Sequence, residues 1–234
     1  MWKHTLIIFL FYLLGCFGHR VKRIVGGTVA EKGQLPFAVS VQIRVTASGH
    51  AEFKHICGGV YVDGVVLTAG HCVLRRNASD VLVQIGGTEI SSERLISATH
   101  IASRKLNFFT LKNDIAAISL KTLVPGSLKF DDIVKSAHHD HCFIYGFGTS
   151  KFMTTGNKQL HFAPVNVIDF NTCYTKLGPV VAPEPNAGMF CAEGSANHTD
   201  ACLGDSGSAL VCKNPTTHTL YPLGLISYGM GCGS

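Results

Sequence analysis

The chain has 234 residues, long enough for a large all-β domain or a two-barrel unit. Its formal net charge is +5, but only 15% of its residues are charged. That balance offers no basic stripe for nucleic acid, and no nucleic-acid partner is expected.

At the N-terminus Trp2-Lys3-His4 forms a short basic lead, and the run from Leu6 to Leu14 is apolar apart from the hydroxyl of Tyr12. Small residues follow at Cys16-Phe17-Gly18. This pattern predicts a cleaved secretory signal over residues 1–18, because the apolar run is short for a bilayer span; a signal anchor is the alternative. Residues 19–23 then read as a short propeptide ending in the dibasic pair Lys22-Arg23. Beyond it the pattern is β. Val39, Val41, Ile43 and Val45 alternate with Ser40, Gln42 and Arg44, which predicts a half-buried strand. Further apolar runs lie at 65–67, 81–85, 115–120, 142–145, 209–211 and 223–226, bounded by Gly, Pro or polar turns. No long segment has helical periodicity, so a barrel or sandwich is expected.

Three stretches carry chemistry. Leu67-Thr68-Ala69-Gly70-His71-Cys72 runs from a strand end into a histidine, and Asn113-Asp114-Ile115-Ala116-Ala117-Ile118 sets an acid at the mouth of an apolar strand. Asp200-Ala201-Cys202-Leu203-Gly204-Asp205-Ser206-Gly207 holds a serine in a glycine-flanked turn. A serine hydroxyl is a poor nucleophile; it needs a base to take its proton and donors for the oxyanion it creates. Taken singly, a histidine at a strand end or an aspartate before a strand is more often structural. Together, in the order His71, Asp114, Ser206, they form a candidate triad. An esterase elbow of the Gly-x-Ser-x-Gly type, with histidine last, does not fit.

Nine cysteines are present. Cys16 falls in the signal, which leaves an even number suited to an oxidising compartment. No Cys-x-x-Cys pair suggests a metal. His138-His139-Asp140-His141 reads as a polar linker rather than a zinc site, and the loop after Cys72, with only Asp80, Glu89 and Glu93, is too poor in acids for calcium. No metal or cofactor is expected. Asn77-Ala78-Ser79 and Asn197-His198-Thr199 are glycosylation sequons.

With Arg23-Ile24-Val25-Gly26-Gly27 and the ending Ser227-Tyr228-Gly229-Met230-Gly231-Cys232-Gly233, these motifs resemble the trypsin/chymotrypsin family of serine endopeptidases from Ile24 onward. The resemblance implies an all-β fold of two six-stranded Greek-key barrels, about 24–133 and 134–234, with the active site in the cleft between them. It implies a secreted, monomeric zymogen, cut after Arg23 by an activating protease so that the amino group of Ile24 pairs with Asp205. It also implies an oxyanion hole from the N–H groups of Gly204 and Ser206, and a hydroxyl of Ser227 on Asp114. Ser227, Tyr228 and Gly229 would line the extended substrate. Asp200 at the pocket floor would select Arg or Lys before the cut, in polypeptide substrates and in protein inhibitors. The implied disulfides are Cys57–Cys72, Cys142–Cys212, Cys173–Cys191 and Cys202–Cys232.

The chain departs from the family pattern in three places. Gly70 stands where alanine is usual, and Ser208-Ala209 replaces Gly-Pro behind the nucleophile, at an expected modest geometric cost. The sequence also stops at Ser234, where family members continue through another strand and a C-terminal helix, so the second barrel is expected to lack both. A catalytically silent homologue acting as a binding module is the alternative reading.

Overall fold

The computed structural model describes residues 27–47, 50–130, 139, 141–148, 159–195, 201 and 204–229. In chain order these form β1 (Thr28–Val29), β2 (Ala38–Ala47), β3 (His50–Val62), β4 (Val65–Thr68), β5 (Val81–Ile85), β6 (Ile96–Ser103), β7 (Ala116–Leu120), β8 (Cys142–Gly146), β9 (His161–Ile168), the helix α1 (Phe170–Val181), β10 (Cys191–Gly194), β11 (Ala209–Lys213) and β12 (Leu220–Leu225).

β2 to β7 close into a six-stranded antiparallel barrel in the order β2-β3-β4-β7-β6-β5. Closure removes the exposed sheet edges. Val39, Val41, Val66, Val81, Val83 and Ile118 fill the interior, each fully buried. The remaining strands form a second, six-stranded sheet in the order β1-β9-β8-β11-β12, with β10 also on β9. The molecule is therefore mostly β, with one closed barrel and a second sheet.

The two halves meet over a shared apolar layer. Phe37, Val60 and Val62 from the barrel side pack with Tyr145, Phe147, Leu160 and Val211 from the sheet side. Inside it the buried Tyr145 hydroxyl donates to Gly59 O at 2.9 Å, so the ring brings its polar atom inside with a partner. β1 strengthens the join. It precedes the barrel in the chain yet pairs with β9, Thr28 opposite Phe162, and Ala30 N donates to Leu160 O at 2.9 Å.

Two expectations fail for physical reasons. β2 alternates apolar and polar residues, but Ser40 and Gln42 are as buried as the valines between them. Their polar atoms are satisfied internally: Gln42 Nε2 donates to Ser40 Oγ at 3.2 Å and to Ser91 O at 3.1 Å. Alternation therefore marked polarity rather than exposure. The helix α1 was not foreseen. Asp169 caps it by accepting from Thr172 N at 3.0 Å, but Gly178 (φ +73°) kinks it immediately before Pro179. Phe170, Cys173, Tyr174 and Leu177 recur at helical spacing, but of the helix only Cys173 is fully buried, and the run stops at Gly178-Pro179.

β3 runs through Gly58 because Ser208 lies against it. A Cβ on Gly58 would sit 1.8 Å from Ser208 Oγ and 3.1 Å from Ser208 N. Gly58→Ala is expected to lower stability by about 1–3 kcal/mol, read as a lower urea midpoint at unchanged m-value; an unchanged midpoint would mean that this contact relaxes freely.

Candidate active site

His71 sits on a single helical turn, Gly70–Val73, directly after β4. Asp114 precedes β7, the strand paired with β4, so barrel hydrogen bonding carries both residues to one end. Gly70 allows the approach: a Cβ there would lie 3.1 Å from Ile115 N. Asp114, its side chain 3% exposed, accepts three hydrogen bonds. His71 N reaches Oδ1 at 2.8 Å, His71 Nδ1 reaches Oδ2 at 2.8 Å, and Ser227 Oγ donates to Oδ2. Burial pushes the Asp114 carboxyl pKa up, but the bonds from His71 and Ser227 outweigh it and hold the group below its ordinary value. The carboxylate is thus anionic and fixes the proton on Nδ1, leaving the Nε2 lone pair available as a base. The His71 side chain is 37% exposed, open to a reactant.

Ser206 occupies a turn that the rest of the molecule grips from several sides. Gly58 N donates to Ser206 O at 2.8 Å, Ser208 N to Asp205 O at 3.0 Å, and Gly207 N to Ile226 O at 2.7 Å. Gly204 (φ +96°) and Gly207 (φ +84°) adopt the left-handed backbone that favours glycine. A Cβ on Gly207 would lie 2.2 Å from Thr68 Oγ1 and 2.9 Å from Ala69 N, so the serine turn is packed onto the strand end that leads to His71. Cys57–Cys72 closes the same corner covalently. Ser208 is fully buried, and its Oγ has no hydrogen-bond partner among the described residues, a cost that glycine would not carry.

Two supports of this turn were not anticipated, the bare glycine backbone beside Asp205 and the imidazole of His55. Asp205 is fully buried, Gly148 N donates to its Oδ1 at 2.8 Å, and a Cβ on Gly146 or Gly148 would collide with its carboxyl group. The sequence signal was Gly146-Phe147-Gly148. The other support is His55 on β3. Its Nε2 donates to Gly204 O at 3.1 Å, which leaves Nδ1 to accept from Ser40 Oγ at 2.9 Å. Gln42, Ser40 and His55 thus form a buried chain of donors that ends on the carbonyl of Gly204. Phe147 packs edge-on against the imidazole, with centroids 5.7 Å apart.

Of the other anticipated residues, Ser227 lies on Asp114, and Tyr228 is partly exposed with its hydroxyl donating to Val181 O at 2.9 Å. A Cβ on Gly229 would meet no atom of the described residues within 4 Å. The disulfides Cys57–Cys72, Cys142–Cys212 and Cys173–Cys191 are formed. Asn77 is exposed at the start of the short turn Ala78–Asp80. Arg23, Ile24, Asp200, Cys202, Cys232 and Asn197 lie outside the described residues, as do His138 and Asp140; His139 Nδ1 lies 3.1 Å from Tyr221 Oη. Among the described residues Cys57, His71 and Cys72 bring ligand-type atoms together, but both sulfurs are spent in a disulfide and offer no thiolate.

The family model described as Trypsin matches residues 24–234. The chain belongs to the trypsin family. It is 32% identical over 224 residues to trypsin beta of Drosophila erecta, covering 90% of this chain and 79% of the relative. It is 31% identical over 222 residues to trypsin alpha of the same species, covering 90% and 78%. Against complement factor I of Rattus norvegicus it is 30% identical over 233 residues, covering 92% of this chain but 36% of that longer protein. The trypsin family is one of serine-type endopeptidases, and His71, Asp114 and Ser206 lie within the matched residues. No helix among the described residues is long and apolar enough to cross a membrane.

Burial pushes the pKa of His55 from an ordinary 6.5 down to about 4, against the pull of its bond to Gly204 O. Above pH 6.5 the imidazole is neutral in both folded and unfolded chains. Between pH 6.5 and 4 the unfolded chain binds a proton that the folded one refuses, so stability falls as pH falls. At pH 4.5 this loss is about 2–3 kcal/mol relative to pH 7.5. Urea unfolding at both pH values should show His55→Gln losing less stability than the parent by that amount; equal losses would remove His55 as the cause.

Proposed function

We propose that this chain is a secreted trypsin-like endopeptidase, made as a zymogen and activated by cleavage after Arg23, that cuts polypeptides after Arg or Lys. The observation that carries the reading is Asp114, buried and anionic, holding His71 by both its backbone N–H and its Nδ1. In the reaction His71 Nε2 removes the Ser206 proton as Oγ attacks a peptide carbonyl. The imidazolium is stabilised by Asp114 and then returns the proton to the departing amine. The N–H groups of Gly204 and Ser206 stabilise the oxyanion; removing one such donor in related chemistry costs about 3–4 kcal/mol. The bond from His55 to the Gly204 carbonyl fixes the plane of the Gly204–Asp205 peptide, which lies between the two donor amides.

Activation is read from Asp205. A buried carboxylate is costly unless compensated, and the freed ammonium of Ile24 supplies a charge for it alongside Gly148 N. Asp200 would set preference for a cationic side chain, with Gly229 leaving room for its length. The leader pattern at 1–18 and the disulfides support secretion, and Asn77 and Asn197 are the proposed glycan sites. Partners on this reading are polypeptide substrates, an activating protease and protein inhibitors, with the enzyme itself monomeric.

After cleavage at Arg23 the protein should hydrolyse a tripeptide amide ending in Arg far faster than its Phe counterpart. Ser206→Ala should lower kcat by roughly 10,000-fold or more, and Asp200→Ser should lower kcat/KM on the Arg substrate by roughly a hundredfold. Folded, cleaved protein without turnover would overturn the proposal in favour of a silent homologue. Turnover without Arg preference would remove the role given to Asp200.

A further inference from the structure

A buried side-chain amide has a donor end and an acceptor end, and backbone neighbours decide which way it points. Gln84, on β5, is oriented by the segment that follows it. Its Nε2 donates to Glu89 O at 2.7 Å, and its Oε1 accepts from Ser91 N at 2.9 Å. Neither backbone group can exchange roles, so Gln84 offers its oxygen to Gln42. Gln42 therefore meets two fixed acceptors, Ser91 O at 3.1 Å and Gln84 Oε1 at 3.4 Å, and only its NH2 end suits them. The same nitrogen lies 3.2 Å from Ser40 Oγ. An amide NH2 accepts nothing, so Ser40 Oγ receives that bond.

The polarity passes on from there. Ser40 is fully buried and has one hydroxyl proton; its other partner among the described residues is His55 Nδ1 at 2.9 Å. Across the ring, His55 Nε2 faces the carbonyl of Gly204, an acceptor, at 3.1 Å. A neutral imidazole with its proton on Nε2 satisfies both ends. A proton on Nδ1 instead would leave Ser40 receiving two bonds with its own proton unplaced. From Gln42 to Gly204 every donor thus points the same way, an arrangement in which each bond strengthens the next.

We propose that Gln42, oriented by Gln84, is a positioning residue for peptide cleavage: its amide holds His55 in the Nε2–H tautomer, and His55 holds the Gly204–Asp205 peptide between the two oxyanion donors. This rests on the reading of the chain as a protease. Gln42 and Gln84 are buried in the barrel and act only through His55. Their effect falls on the transition state, because the oxyanion exists there and not in the bound substrate. Two backbone groups of the segment between β5 and β6, Glu89 O and Ser91 N, thereby set the direction of a row of bonds that ends at the nucleophile's turn.

The test is a double-mutant cycle on the activated protein with a tripeptide Arg amide. Gln42→Met, close in size but without a donor, should lower kcat about tenfold with KM unchanged. Ser40→Ala should do the same, and the double variant should lose no more than either alone, since both break one row. An unchanged kcat, or losses that multiply in the double variant, would overturn the proposal; multiplication is what two independent packing defects produce. If Gln42→Met does not fold, Gln42→Asn, whose amide stops one methylene short of Ser40, replaces it in the cycle. The tautomer is read separately, by two-bond proton–nitrogen correlation NMR on the nitrogen-15-labelled Ser206→Ala protein. That protein should carry a proton on His55 Nε2 and none on Nδ1, and adding Gln42→Met should bring in a population protonated on Nδ1. Absence of turnover in the unsubstituted enzyme would sink the protease reading alone. Identical His55 signals with and without the Gln42 amide would sink the relay.

Discussion

Everything at the candidate site leans on one buried carboxylate. Asp114 is nearly sealed from solvent, yet it keeps its charge because three donors converge on its two oxygens. Those donors come from different places: His71 follows β4, and Ser227 follows β12 in the second sheet. A charge that can be kept inside only while both halves supply hydrogen bonds is a condition on how the halves meet. The barrel fixes where Asp114 emerges, and the second sheet completes its solvation. The same logic is repeated at Asp205, whose burial is made possible by the bare backbone of Gly146 and Gly148.

The serine turn has no core of its own. Its geometry is borrowed from Gly58 of β3, from Ile226 beyond β12, and from His55, which reaches Gly204 from the barrel. Each of these bonds joins the turn to a rigid strand or its extension. The consequence is positional: an irregular loop is tied by hydrogen bonds to strands of both halves.

Much of this was legible in the chain. His71, Asp114, Ser206 and Ser227 each sit beside a short, chemically specific word. Apolar runs marked most of the strands that have one clear partner on each side. What escaped notice had weaker grammar. Ser40 and Gln42 looked like a solvent face because hydropathy records polarity and cannot record that a buried partner exists. His55 stood in a polar stretch of β3 where nothing local distinguishes a structural histidine from an exposed one; only the fold brings Ser40 and Gly204 to its two nitrogens. The helix α1 was hidden by Gly178 and Pro179, which read as a turn; the cap at Asp169 and the helical spacing of Phe170, Cys173, Tyr174 and Leu177 were the available signals.

The pairing of β1 with β9 has a bearing on how the molecule comes to be folded. Thr28 leads the chain into the barrel but finds its partner only at Phe162, after every barrel strand has been made. β1, the first strand among the described residues, therefore has its partner strand available only after the barrel strands have been synthesised. Contacts of such long sequence separation are slow to form, since most of the chain's freedom must be given up before they contribute. The pairing is a long-range tie added to the apolar layer that already joins the two halves.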